Sequence, residues 1–166
     1  MLRIAGIELD SIVDGPGIRV VVFCQGCLRH CEGCHNPETW DITGGTEISV
    51  DEVEKAIKSN PLCRGVTYSG GEPFLQAVEL SELTRKLPGY EVAVYSGFTF
   101  EELLHGTPEQ RELLSLIDVL IDGPYEVSER TQELSFRGSR NQRILNVPES
   151  VKAGKAVFEE RTRWNY

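Results

Sequence analysis

The sequence predicts an α/β protein whose parallel sheet forms an open, partial (βα) barrel. Three observations carry this. Short apolar runs alternate with capped amphipathic runs, as in a βαβ succession. Connections of that kind are right-handed and coil the sheet. The chain has 166 residues, whereas a complete eight-unit barrel needs about 250.

The candidate strands are Ile18 to Phe23, Gly65 to Ser69, Glu91 to Tyr95, Val119 to Asp122 and Arg143 to Val147. Between the first two, Ser49 with Glu52 forms a capping box, Val50, Val53 and Ile57 share one helix face, and Asn60-Pro61 ends the helix. After the second strand, Leu75, Val78, Leu83 and Leu87 mark a helix closed by Pro88-Gly89. After the third, Thr99 with Glu102 and Thr107-Pro108 with Gln110 mark two short helix starts. The succession is β, α, β, α, β, α, β, and Arg143 to Val147 is a further strand. No repeat, low-complexity tract or linker interrupts it, so residues 1–166 are expected to be one domain, with a core over about 7–147 and an unassigned tail at 148–166.

A formal net charge of -9 argues against nucleic acid as the main partner, because phosphate contacts need a surplus of Lys and Arg. The longest apolar run, Val20-Val21-Val22-Phe23, is far below the roughly 18 residues of a membrane span, so no membrane partner is expected. The first residues, with Glu8 and Asp10 close behind, lack the apolar stretch of a signal peptide, and the cytoplasm is the expected compartment.

Four of the five cysteines fall within residues 24–34, too close for a disulfide framework, which points to cofactor ligation. Cys27, Cys31 and Cys34 have C-x3-C-x2-C spacing in a loop with Gly26 and Gly33, residues that let backbone fold tightly around an inorganic core. A 4Fe-4S cube normally takes four thiolates, so three would leave one iron open to a substrate. Cys24 permits a second reading, a closed four-cysteine site holding an electron-transfer cluster or structural zinc. Its position at the end of an alternating strand instead suits a buried apolar thiol. Cys63 is read as structural. In open α/β sheets chemistry gathers at the carboxyl ends of strands, here Cys24 to Cys34, Gly70 to Pro73, Ser96-Gly97 and Asp122-Gly123.

The run Cys27-Leu28-Arg29-His30-Cys31-Glu32-Gly33-Cys34 resembles the signature of the radical S-adenosylmethionine superfamily, and Ser69-Gly70-Gly71-Glu72-Pro73 resembles its glycine-rich companion. Asp14 to Arg19, Gln25-Gly26-Cys27 and His35 to Trp40 resemble the activases of glycyl-radical enzymes, among them pyruvate formate-lyase activases. Val119 to Gly123 and Phe136 to Gln142 resemble the anaerobic ribonucleotide reductase activating proteins.

The resemblance implies a shortened radical S-adenosylmethionine core with one 4Fe-4S cluster on Cys27, Cys31 and Cys34. Its open iron would hold S-adenosylmethionine for reductive cleavage to methionine and a 5'-deoxyadenosyl radical. It implies transfer of that radical to a glycine of anaerobic ribonucleotide reductase, or of another glycyl-radical enzyme such as pyruvate formate-lyase. A low-potential electron donor such as flavodoxin or ferredoxin is implied too. Gly33, Cys34 and His35 would lie against the adenine, Gly70 and Gly71 would let backbone approach the ligand, and Ser96 and Gly97 would meet its ribose or methionine part. Glu72 would fix local hydrogen bonds or meet the ligand's ammonium. Asp14 and Arg19 would contact the partner, and Arg137 and Arg140 would guide its docking.

Overall fold

The structure, a computed structural model, describes residues 1–165. One seven-stranded sheet holds strands β1 (Leu2–Ser11), β2 (Arg19–Cys24), β3 (Thr46–Ile48), β4 (Gly65–Gly70), β5 (Glu91–Tyr95), β6 (Val119–Asp122) and β7 (Arg143–Asn146) in the order β3-β1-β2-β4-β5-β6-β7. The helices are α1 (Val50–Lys58), α2 (Ala77–Arg85), α3 (Phe100–Leu104), α4 (Pro108–Leu116) and α5 (Val147–Ala153).

The centre of the sheet is parallel, β2 to β4 to β5 to β6, and each of these crossovers carries helix. The edges differ from the all-parallel expectation. β1 runs antiparallel to β2 because residues 12–18 between them are too few for a crossover, and β3 pairs antiparallel with β1. β7 is antiparallel to β6 because residues 123–142 supply one short 3-10 turn and no crossover helix. The sequence reading missed β1 because register shifts between Ile4 and Gly6 and between Glu8 and Ser11 break its period of two.

Of the three expected capping boxes two form in full and that at Ser49 in half. The Ser49 hydroxyl accepts from Glu52 N, and full capping boxes form at Thr99/Glu102 and Thr107/Gln110. In α2 the buried face is Ala77, Leu80, Leu83 and Thr84; Leu75 and Val78 point outward, because a 3-10 turn over Pro73–Gln76 resets the phase ahead of the helix.

The helices cover one sheet face. Val66, Val92, Val94, Leu120 and Leu145 meet Val53, Ile57, Leu80, Leu83 and Leu113 in the main core. The opposite face carries a smaller cluster of Ala93, Val119, Ile121 and Ile144, sealed by Trp164 from the C-terminal segment. Burying an aromatic of that size is worth several kcal/mol, and its loss typically costs about 3–5 kcal/mol. The segment is tied down by backbone: Asn146 N donates to Val157 O at 2.9 Å and Glu159 N to Ile144 O at 2.9 Å. Arg161 and Arg163 both pair with Glu91. Among the described residues no helix is long and apolar enough to cross a membrane.

Candidate active site

The four clustered cysteines part company at the end of β2. Cys24 is fully buried among the core side chains, where burial first, and then the charge of Glu72, push its thiol up to about 12. Cys27, Cys31 and Cys34 are half-buried and line one cavity of about 370 Å³.

The loop is shaped by backbone. His30 and Gly33 take left-handed conformations, at φ 47° and 75°, and Cys34 N donates to Cys31 O at 3.1 Å. The segment after it folds back as a strap: Gly26 N donates to Thr39 O at 2.6 Å and Cys27 N to Trp40 O at 3.1 Å. The Gln25 side-chain amide donates to Glu38 O and Asp41 O, while Trp40 stacks on His30 with ring centres 4.5 Å apart. Asn36 N donates to Cys34 Sγ at 3.4 Å. The Cys31 thiol is raised, chiefly by burial, and is opposed by a backbone N–H of Tyr125; its two neighbouring thiols raise it further. Amide donors on sulfur are among the protein's means of setting a cluster's potential.

This donor set fits a 4Fe-4S cluster held by three thiolates. A cube takes each thiolate on a different iron, so three thiols spread along one cavity wall suit it. Cys24, turned into the core, is withheld from that wall, and the closed four-cysteine alternative lacks its fourth donor.

The glycine-rich turn is bound to the cysteine loop itself. Gly71 N donates to Cys24 O and Glu72 N to Gly26 O, both at 2.8 Å. A Cβ on Gly71 would lie 2.4 Å from Gly26 O, and one on Gly70 (φ 91°) 2.6 Å from Cys24 O. The close approach that requires these glycines is to neighbouring backbone, and both of them also line the cavity.

The Glu72 carboxylate is buried, which raises it, and it accepts from Phe74 N at 3.0 Å, Ser96 Oγ at 2.9 Å and Gly97 N at 2.7 Å. Of its two expected roles, fixing local hydrogen bonds is the one the geometry performs. It locks the end of β5 to the end of β4, and Ser96 and Gly97 line the cavity as a result.

The remaining expected residues divide. His35 lines the cavity and lies 5.0 Å from the Tyr125 ring, whereas Gly33 turns toward Tyr125 and Val127, which fill the space a side chain there would need. Asp14 lines the cavity and accepts from Ser11 Oγ at 2.7 Å. Arg19 is 2 % exposed, and its guanidinium donates to Thr67 Oγ1, Pro16 O, Val66 O, Glu91 O and Glu91 Oε1. It joins β2, β4 and β5 from inside and cannot serve as a surface contact, a correction to the expectation above. Arg137 lines the cavity; Arg140 is exposed and pairs with Glu133 at 3.5 Å.

Sequence reasoning missed Arg29, Tyr95 and Tyr125 on the same cavity wall. Tyr95 and Tyr125 stand at or just beyond the carboxyl ends of β5 and β6, and that position is the signal that finds them.

Residues 13–145 match the 4Fe-4S single cluster domain family. The chain is 35 % identical over 149 residues to the anaerobic ribonucleoside-triphosphate reductase-activating protein of Enterobacteria phage T4, spanning 85 % of this chain and 92 % of that protein. The protein of the same description from Escherichia coli (strain K12) is 31 % identical over 147 residues, 82 % of this chain and 94 % of its own. The pyruvate formate-lyase-activating enzyme of Clostridium pasteurianum is 42 % identical over 118 residues, but these are 64 % of this chain and 50 % of that enzyme. A cluster-compatible thiol triad, a family match across most of the chain and near end-to-end similarity to two such proteins place it in the anaerobic ribonucleoside-triphosphate reductase-activating protein family.

Proposed function

We propose that this protein is a radical S-adenosylmethionine activase that cleaves S-adenosylmethionine reductively and generates a glycyl radical on anaerobic ribonucleotide reductase. The observation that carries the reading is the separation of the cysteines: three half-buried thiols face a cavity closed by the Gly70-Gly71-Glu72 turn, and the fourth is in the core. Cys27, Cys31 and Cys34 hold one 4Fe-4S cluster. When bound, the cluster supplies the electron that breaks the sulfonium bond to the 5' carbon. The chain's own residues bind, orient and enclose the substrate. Backbone at Gly33, Cys34 and His35 meets the adenine, and Ser96 and Gly97, pinned by Glu72, meet the ribose or methionine part. Gly70 and Gly71 keep the turn close against the cysteine loop.

The protein acts as a single cytoplasmic domain with its sheet curled as an open partial barrel, a reading supported by helices packed on one face only. Its electron donor is a low-potential carrier such as flavodoxin or ferredoxin. Asp14, at the cavity wall, and exposed Arg140 contact the reductase. Anaerobic incubation with S-adenosylmethionine, a strong reductant and the reductase tests the whole reading, with 5'-deoxyadenosine release and a protein-based radical as readouts. A radical formed only on pyruvate formate-lyase would reassign the partner.

A further inference from the structure

Arg137 is a cation without a carboxylate partner. Among the described residues no Asp or Glu lies within ion-pair distance of it; its Nε donates to Ser135 O at 3.1 Å, and the only charge that bears on it is that of Tyr95. It is nevertheless half-buried on the cavity wall, where burial disfavours its charge. The carboxylates of that wall are occupied elsewhere: Asp14 with Ser11, Glu72 with Phe74, Ser96 and Gly97. Arg29, the other cation there, packs on the Phe98 ring at 5.2 Å and shares its field with Glu72 and Glu102. A desolvated and unpaired guanidinium in a cavity is unfavourable until an anion meets it.

The backbone aims Arg137 deliberately. Phe136, just before it, is held at φ 54°, a left-handed conformation that costs a non-glycine residue free energy. Contacts of Phe136 and of its neighbour Ser135 hold the segment in place. The Tyr95 hydroxyl donates to Phe136 O at 2.9 Å, the Phe136 ring meets the edge of Trp164 at 5.3 Å, and Ser135 Oγ donates to Trp164 O at 2.9 Å. Trp164 is fully buried and also lies under the Arg19 guanidinium and against Gly15, next to Asp14. The C-terminal segment thus fixes two walls of the cavity at once.

We propose that Arg137 is the anion-binding residue of the cavity, pairing with the carboxylate of S-adenosylmethionine, and that Trp164 is the residue that positions it. This rests on the function proposed above and assigns a role to the C-terminal segment.

The test is equilibrium binding to the anaerobically reconstituted, cluster-loaded protein, with S-adenosylmethionine and its decarboxylated analogue as probes. Arg137→Ala should weaken S-adenosylmethionine about 10- to 100-fold, the range for losing a charge-assisted hydrogen bond, and leave affinity for the decarboxylated analogue at the wild-type value. Arg111→Ala, at an exposed cation on α4, should change neither. Trp164→Ala should weaken S-adenosylmethionine in the wild-type background but add little once Arg137 is alanine, and Trp164→Phe should restore most of the affinity. Iron content and melting temperature identify any variant that fails to fold, and the Arg137 comparison stands without the Trp164 series.

Unchanged S-adenosylmethionine affinity in Arg137→Ala would overturn the proposal, as would equal losses for both probes. Additive losses in Arg137→Ala with Trp164→Ala would remove the positioning role. Wild-type protein that binds neither probe would instead overturn the proposed function, and this inference with it.

Discussion

Gly71→Ala should damage the cluster loop, although the residue is no ligand. The added Cβ would stand 2.4 Å from Gly26 O, 2.8 Å from Gly26 C and 3.0 Å from Gly26 N, all backbone atoms that cannot rotate away. Relief requires the glycine-rich turn to retreat by about 1 Å if an ordinary contact near 3.4 Å is to be restored. That retreat strains two 2.8 Å hydrogen bonds, Gly71 N to Cys24 O and Glu72 N to Gly26 O. Overpacking typically costs about 1–3 kcal/mol and each of the two weakened bonds about 0.5–1.5 kcal/mol, roughly 2–6 kcal/mol in total. For a domain of this size that lowers Tm by roughly 4–24 °C. Because Gly26 adjoins Cys27, iron per chain after anaerobic reconstitution should fall as well. The comparison is Gly6→Ala, whose Cβ meets nothing within 4 Å, and which should stay within about 0.5 kcal/mol of wild type. Wild-type Tm and full iron in Gly71→Ala would refute the reasoning.

Cys24→Ser should keep its cluster and release 5'-deoxyadenosine, at a stability cost of about 1–3 kcal/mol for a hydroxyl in the core; a folded, iron-loaded variant without release would show that Cys24 is a ligand. Cys31→Ala should fail to assemble a catalytic cluster, seen in iron analysis and absorbance, and full turnover would exclude the assigned triad. Glu72→Gln replaces an oxygen facing either Gly97 N or the Phe74 and Ser96 donors by an N–H, leaving one side unpaired at about 1–3 kcal/mol; S-adenosylmethionine binding should weaken while iron is retained, and unchanged binding would remove the anchoring role. Arg140→Glu reverses an exposed charge and should slow activation of the reductase severalfold more than uncoupled S-adenosylmethionine cleavage, most at low salt; equal slowing of both would remove the docking role.

What was legible in the sequence is what local patterns encode. The core strands β2, β4, β5 and β6 and the caps at Ser49, Thr99 and Thr107 follow from periodicity and side-chain chemistry within a few residues. The direction of β7 and the existence of β1 and β3 depend on partners far along the chain, and β1 carries bulges that blur its alternation. α5 did have a local signal, Asn146 accepting from Glu149 N with Pro148 in the first turn and Gly154 at its end, but the strand reading of Arg143 to Val147 ran over it. At the site, C-x3-C-x2-C was readable because a cluster needs several thiolates in one loop. Whether Cys24 belonged with them was not, since the spacing admits both readings and only the direction of its side chain decides. The interior role of Arg19, the cavity position of Arg137 and the seal made by Trp164 arise from contacts between residues distant in sequence.

The most direct test is electron paramagnetic resonance on an anaerobic mixture of the cluster-loaded protein, S-adenosylmethionine, reductant and anaerobic ribonucleotide reductase. A glycyl radical on the reductase, absent with Cys31→Ala, is the expected result; reductive cleavage of S-adenosylmethionine with no radical on the reductase would contradict it.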